Sequence, residues 1–356
     1  CLNKCRIIFD SEILSKPDDV SSAHNFFCKK RGNDNKISSL NNTLLVGAEM
    51  RIAIFGGTGF VGFHLLKFLC EENIHVNALV RSGSEAKLWK NDNISCISGD
   101  ISSEASVSQT VEGCEYVIYS IGILEESYKD GSTFQSLQYE GLKKVVDNCS
   151  GRNIKKFILM SANGVDKNVT EYQKTKLSAE KYLQNSKLDH TIFRPSVIFG
   201  NPKGRMEFAT QLNNEMIKLP IPAVNFFSSL NPKLNTVKMS PVHVDDVVSA
   251  IHVALASDKT HNKIYELGGP DDLSWIQIIN TIMLATSKKK LVIPMPINIM
   301  KIFTKFFSWV PGLPVTYDQI TMLEQGNTVS SVCLRELIGK ELQSFSTKNL
   351  EYLSAK

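Results

Sequence analysis

Three glycines, Gly56, Gly59 and Gly62, stand three residues apart. A strand-like run, Arg51-Ile52-Ala53-Ile54-Phe55, precedes them, and an apolar helical stretch from Phe63 to Cys70 follows. A strand, a glycine turn and a helix in that order form a cradle for a pyrophosphate. The first glycine permits the tight turn, the second lets the backbone approach the phosphates, and the third lets the helix pack against its strand. The helix N-terminus adds unpaired N–H groups and a partial positive charge. Thr58, Phe60 and Val61 lie inside the cradle and are candidate contacts. A glycine-rich turn without ligand is the alternative, and the flanking strand and helix weigh against it.

A second strand, Ile74 to Val80, ends at Arg81-Ser82-Gly83-Ser84. Proteins that hold NAD place an acid there to bond the ribose hydroxyls. Here the next acid is Glu85, and Arg81 occupies the position instead. A guanidinium suits a 2′-phosphate and Ser82 offers a further hydrogen bond, so NADP(H) is expected over NAD(H). The alternative is an arginine whose stem merely lies along a loop. A third strand ends at Cys96-Ile97-Ser98-Gly99-Asp100-Ile101. Asp100 is read as an acceptor for the adenine amino group, as the cap of the following helix, or as both. The fourth strand, Tyr116 to Gly122, should bring Ser120, Ile121 and Gly122 to the cofactor crevice.

A fifth strand, Lys156 to Met160, ends in the hydroxyl of Ser161. Eleven positions later Tyr172 opens a helix that runs through Leu183, with Lys176 four residues on. That spacing puts both side chains on one helical face. A lysine ammonium there lowers the phenol pKa and holds a ribose, and the tyrosine becomes an acid or base for hydride transfer to or from a carbonyl. Ser161 is a candidate for polarising that carbonyl, although in the preferred register the usual serine position is Asn163. Two readings stay open: a catalytic Tyr172, Lys176 and Ser161, or a lysine that serves cofactor binding alone beside a turn shaped by Ser161 and Asn163.

Apolar strands alternating with helical stretches predict a doubly wound parallel sheet with helices on both faces, a Rossmann-like α/β fold with a small C-terminal lid. The 356 residues divide on this reading into an extension at 1–49, a nucleotide-binding domain at 50–200, and a remainder at 201–356. About 235–268 of that remainder should return to the sheet. Residues 1–49 are rich in Asn, Ser, Lys and Asp without sustained periodicity, and Met50 falls directly before the first strand. They are read as a disordered or non-native extension. The rival, a mitochondrial targeting peptide, is disfavoured by Asp10, Glu12, Asp18, Asp19 and Asp34, because such peptides are poor in acids.

The 40 basic and 36 acidic residues are too balanced to argue for nucleic acid. Cysteines stand at 1, 5, 28, 70, 96, 114, 149 and 333, with no Cys-x-x-Cys pair, so no metal site is expected. Cys70, Cys96, Cys114 and Cys149 fall in apolar segments and are read as reduced core residues.

Five motifs occur in the order found in extended or atypical short-chain dehydrogenases: the Gly56–Gly62 turn, Gly99-Asp100, Tyr172-x-x-x-Lys176, Arg194-Pro195-Ser196-Val197-Ile198-Phe199-Gly200, and Val242-His243-Val244-Asp245-Asp246-Val247. Tyr265-Glu266-Leu267-Gly268-Gly269-Pro270 looks like the close of the last strand. The tail adds Ile293-Pro294-Met295-Pro296, Val310-Pro311-Gly312-Leu313-Pro314 and Thr316-Tyr317-Asp318-Gln319. From Met50 onward the chain resembles the NAD-dependent epimerase/dehydratase-like family, and in its tail the bacterial relatives of the NADPH-binding accessory subunit of respiratory complex I. The resemblance implies nucleotide contacts at Pro195 and Val197, a nucleotide held mainly for structure, and work in or near respiratory or quinone metabolism. An active NADP-dependent oxidoreductase or nucleotide-sugar epimerase using Tyr172 and Lys176 is the alternative. Asn163 and the missing acid after the second strand count against a standard nucleotide-sugar epimerase.

Lid segments are expected at about 200–240 and 268–356. Asp245 and Asp246 precede an apolar stretch, Val247 to Ala256, and one of them is read as its N-cap. Lys288, Lys289 and Lys290 read as a solvated helix end. Over 297–310, Ile299, Met300, Ile302, Phe303, Phe306, Phe307, Trp309 and Val310 share one helical face, opposite Asn298, Lys301, Thr304, Lys305 and Ser308. The simpler expectation is that this apolar face covers the lid core. The sharper one is a contact with a membrane surface or a respiratory partner, or a fit to a hydrophobic substrate such as a quinone or isoprenoid. The expected location is the cytoplasm, peripheral to the inner face of a membrane, or the mitochondrial matrix in a eukaryote.

Overall fold

A computed structural model describes residues 50–227, 237–306 and 316–354. The 1–49 extension and the end of the amphipathic stretch, Phe307 to Val310, lie outside the described residues.

Strand and helix alternate from the start. β1 (Arg51–Phe55) leads to α1 (Phe60–Glu71), β2 (His75–Val80), β3 (Ile94–Ser98), α2 (Glu104–Val111) and β4 (Tyr116–Tyr119). A π-helical turn, Gln135–Glu140, enters α3 (Gly141–Cys149); then come β5 (Lys156–Met160), α4 (Glu171–Gln184) and β6 (His190–Pro195). The second half contains β7 (Ile198–Phe199), α5 (Phe208–Leu212), β8 (Ala223–Phe227), β9 (Lys238–Met239), β10 (Val242–His243) and α6 (Val244–Ala256). It closes with β11 (Lys263–Leu267), β12 (Leu273–Ser274), α7 (Trp275–Ala285), β13 (Val292–Pro296), α8 (Ile297–Phe306), α9 (Tyr317–Gln325) and α10 (Val332–Ile338).

Seven strands form one sheet in the order β3-β2-β1-β4-β5-β6-β11, and every neighbouring pair is parallel. Parallel strands need helical crossovers, which cover both faces, so the strands are apolar on both sides. β1 illustrates this. Ile52 and Ile54 pack with Leu65, Leu66 and Leu69 of α1 and with Val247 and Ile251 of α6. Ala53 and Phe55 join the opposite core, with Val107 and Val111 of α2, Leu142 and Val146 of α3, and Ala179 and Leu183 of α4. Strand order reverses between β1 and β4, and in such sheets a crevice opens at that point, beyond the carboxyl ends of the strands. A third core, around Phe199, Phe226, Trp275, Ile278 and Ile320, belongs to the lid.

The lid departs from expectation in one important respect. On α8 the residues turned toward the protein are mixed: Ile297 and Thr304 are buried, Met300 packs on the lid core, and Lys301 is paired with Glu324 of α9. Ile299, Ile302, Phe303 and Phe306 are exposed. The apolar residues of the described helix therefore cover the lid core only at Ile297 and Met300. Periodicity identifies two faces but not which of them packs. Here Asn298 and Lys305 stay exposed, while Lys301 finds an ion pair and the Thr304 hydroxyl bonds the Met300 carbonyl on the inner side.

Smaller corrections follow the same lines. The N-cap of α6 is His243, whose Nδ1 accepts from the Asp245 amide, and Asp245 and Asp246 sit in the first turn, where their charge suits the dipole. Cys70, Cys114 and Cys149 are buried free thiols, whereas Cys96 is exposed, because β3 is an edge strand of the sheet.

Candidate cofactor site

The carboxyl edge of the sheet gathers the predicted residues. Gly56 follows β1 with φ +101°, and a Cβ there would meet the Ser120 carbonyl carbon at 2.8 Å and the Ile121 nitrogen at 2.9 Å. The turn therefore lies directly against the end of β4, bringing Ser120 and Ile121 to the crevice. A Cβ on Gly62 would come within 2.1 Å of the Gly56 carbonyl oxygen, so α1 packs too closely for any side chain. Gly59, the N-cap of α1, is exposed. No side chain caps this helix, so the amides at its start, with Thr58, Phe60 and Val61 around them, are available to an anion. These features fit a dinucleotide pyrophosphate.

Arg81 leaves the end of β2 half-exposed. Its guanidinium reaches the Ser132 hydroxyl at 3.2 Å and the Asp130 carboxylate at 3.4 Å. Both contacts are long, and an exposed ion pair contributes little, so they yield readily to a phosphate. Ser82 faces Ser98 at 3.4 Å, and Ser98 donates to Glu85. The nearest acid is thus turned onto β3, beyond the position where a ribose acid would stand. Asp100 accepts from the Ser102 amide at 2.8 Å. The cap of α2 is Ser103, so Asp100 shapes the preceding turn rather than capping the helix. Its carboxyl is held below the ordinary range, first by Ser102 and to a smaller degree by Arg81. Ile101 beneath it is buried.

At the other end of the crevice α4 begins in a capping box between Thr170 and Gln173. Lys176 is buried and donates to the Met160 carbonyl at 2.9 Å. A Cβ on Gly122 would lie 3.5 Å from its ammonium, so the amine borders the end of β4, where a nicotinamide ribose would pass. Burial lowers its pKa to about 8, against a smaller opposing pull from Glu180. Tyr172 stands edge-on to Phe134, with ring centroids 5.6 Å apart, and burial pushes its phenol up to about 12. Burial thus opposes ionisation of the phenol, against the lowering expected from a neighbouring lysine.

The remaining catalytic candidates are engaged elsewhere. Ser161 donates to Glu180, which is clamped by both Nε and Nη2 of Arg194 in a pair 1% and 8% exposed. Asn163 donates to the Asn327 side chain at 2.7 Å. Pro195 is buried and Val197 half-buried beside the same segment, where the Ser196 hydroxyl donates to the Asn327 carbonyl at 2.8 Å.

Sequence reasoning missed the groups contributed from a distance. Arg205, after β7, stacks on Phe63 at 3.9 Å and donates to the Thr58 carbonyl at 3.0 Å and to the Lys87 carbonyl. It ties the lid to the glycine turn, and nothing in its local sequence marks it. From α9, Asp318 accepts from the Glu171 amide at 3.2 Å and Gln319 donates to the Leu124 carbonyl at 3.3 Å. Gln325 accepts from Gln173 at 2.7 Å through its side chain and from Lys167 at 3.0 Å through its carbonyl. Helix α9 and the strap after it therefore lie across the end of the crevice that holds Tyr172. The π-helical turn lies nearby, and such turns concentrate at functional sites. Its Gln138 bridges the Ile123 carbonyl and the Thr175 hydroxyl.

Known proteins match this arrangement. Residues 56–221 match a family described as NAD(P)H-binding. The chain is 22% identical over 280 residues to the UDP-glucose 4-epimerase of Vibrio cholerae, covering 72% of this chain and 82% of that one. It is 24% identical over 261 residues to the mitochondrial NADH dehydrogenase (ubiquinone) 1 alpha subcomplex subunit 9 of Dictyostelium discoideum, covering 71% and 68% respectively. The crystal structure of the UDP-glucuronic acid 4-epimerase of Bacillus cereus with NAD superposes with a TM-score of 0.65 at 17% identity, covering 86% of this chain and 98% of that one. Over residues 56–221 the chain is thus similar to NAD(P)H-binding proteins, and it shares the fold of the epimerase structure, at low identity to each relative.

Proposed function

We propose that the chain holds NADP(H), with the 2′-phosphate on Arg81 and Ser82, the pyrophosphate on the Gly56–Gly62 turn and the nicotinamide ribose on Lys176. In this reading the nucleotide chiefly supports the fold, and the protein serves in or near respiratory or quinone metabolism. The observation that carries the reading is the engagement of both candidate carbonyl-polarising groups. Ser161 is committed to Glu180 and Asn163 to Asn327, and a carbonyl above Tyr172 would lack its usual second donor. The similarity to a subunit of NADH dehydrogenase supports the respiratory setting. The exposed Ile299, Ile302, Phe303 and Phe306 of α8 offer a surface for a neighbouring subunit of such an assembly. Among the described residues no helix is long and apolar enough to cross a membrane.

The test is to purify the chain, release and identify its nucleotide, and measure exchange with added NADPH. Co-purified NADPH that barely exchanges is the expected result. Empty or quickly exchanging protein would overturn the structural role. It would favour the second reading, an NADP-dependent oxidoreductase or nucleotide-sugar epimerase, which draws on the placement of Tyr172 and Lys176 on one face of α4. Under that reading Tyr172→Phe abolishes turnover and spares nucleotide binding; unchanged turnover removes the tyrosine from the mechanism.

A further inference from the structure

Two lid loops converge at the start of the β8–β13 pair. The Ala223 amide donates to the Leu291 carbonyl at 2.9 Å, and Lys290 donates to the Met216 and Leu219 carbonyls. The turn 216–222 and the turn 284–291 are thereby fixed side by side. Both present large aliphatic side chains outward: Leu284 and Leu291 are each 70% exposed, Ile221 55% and Leu219 40%. Lys218, Lys288 and Lys289 are exposed among them. Neither segment contains an acid. The nearest acid in sequence, Glu215, is held by Gln211 at 3.1 Å.

A helix end accounts for part of this basic charge, since α7 finishes at Ala285 and cations favour that pole. It does not account for Lys218 on the other loop, nor for four aliphatic side chains left in water beside the lysines. We propose that this loop pair docks the protein on an anionic lipid surface, the aliphatic tips entering the headgroup boundary and the lysines meeting lipid phosphates and carboxylates. The composition selects lipid over a protein partner. Protein interfaces draw on Trp, Tyr and Arg and are depleted in Lys, whereas these turns contain lysine and no arginine or aromatic residue. Lysine clusters beside apolar side chains suit membranes rich in anionic headgroups. Pro220 and Pro222 stiffen the first turn, which limits the entropy lost on docking.

The site is distinct from the nucleotide crevice, so it stands or falls independently of which nucleotide is held. Sedimentation of the full chain with vesicles tests it, comparing phosphatidylcholine alone with mixtures containing phosphatidylserine. Binding to the mixed vesicles only, weakening as salt rises, is expected. Lys288→Gln with Lys289→Gln should weaken binding about 20- to 30-fold, from the typical contribution of a lysine near an anionic surface. Leu284→Ser with Leu291→Ser should weaken it at low salt as well, because it removes the inserted carbons. Unchanged nucleotide content and far-ultraviolet circular dichroism establish that the variants fold. Absence of binding to either vesicle would overturn the proposal and return the patch to a protein partner. So would equal binding to both vesicles, full binding by the loop variants, or loss of binding only with Ile302→Ser and Phe306→Ser on α8.

Discussion

In the proposed reading Arg81 carries the cofactor choice, because its present partners are weak. Asp130 and Ser132 hold it at long range in a half-exposed setting, so a phosphate displaces them with little loss. Removing a charge-assisted hydrogen bond costs about 1.5–3 kcal/mol. Arg81→Ala is therefore expected to weaken NADP(H) about 10- to 100-fold and NAD(H) by less than about 3-fold in an isothermal titration. Equal losses would transfer the phosphate to other groups. Lys176 can be tested through pH. Its folded pKa, about 8, lies below the ordinary 10.5 because burial disfavours the ammonium. Between those values the unfolded chain binds more protons, so the contribution of this lysine to stability rises with pH and its burial penalty is fully present below 8. In nucleotide-free protein, Lys176→Met should thus show a stability difference from the parent that shifts against the variant by about 3 kcal/mol between pH 7 and pH 10.5. The lost bond to the Met160 carbonyl adds an offset that does not vary with pH. Denaturant unfolding at the two pH values measures the shift, and a flat difference would refute the depressed pKa.

Helix α9 and the strap that follows it are the elements that decide how the crevice ends. They are held by hydrogen bonds to α4, to the loop after β4 and to Asn163, all far away in sequence. Asn327 is the hinge of this set: its side chain meets Asn163, its carbonyl accepts from Ser196 and Ser240, and its amide donates to the Lys238 carbonyl at 2.9 Å. Asn327→Ala leaves the backbone bonds and strands the Asn163 amide, a loss of about 1–3 kcal/mol in unfolding free energy. Protease should then cut sooner near 316–331 than in the core, read by mass spectrometry of early fragments. Unaltered fragments and unaltered stability would mean that the strap is held by its backbone alone. Helix α8 makes a related point about elements. Its amphipathic pattern was legible, but not which of its residues would turn inward, where Lys301 meets Glu324 of another helix.

Across the whole molecule the nucleotide site joins parts that are otherwise separate. The glycine turn belongs to the sheet, Arg205 reaches it from the lid side, and Lys176 comes from a helix on the opposite face to α1. A ligand bridging these parts binds only the folded state and so raises its stability by mass action, about 2.7 kcal/mol at 100-fold excess over its dissociation constant. Scanning calorimetry should show a melting temperature that climbs with NADPH concentration and a smaller climb with NADH. A melting temperature indifferent to both would remove the proposed structural role of the nucleotide.

What the sequence determined by itself is local and periodic. The glycine spacing, the doubly apolar strands and the four-residue step from Tyr172 to Lys176 each follow from backbone geometry within a few residues. They place the sheet, its crevice and the glycine turn at its edge. Caps shifted by two or three residues, as capping chemistry chose Ser103 over Asp100 and His243 over the aspartates. Tertiary structure decided the rest, because hydrogen-bond partners and buried faces depend on what arrives from far along the chain. Ser161 and Asn163 looked available until Glu180 and Asn327 were brought to them, and Arg205 had no meaning before its loop reached Thr58. A polar side chain is defined by its partner, and at these positions the partner is supplied by the fold.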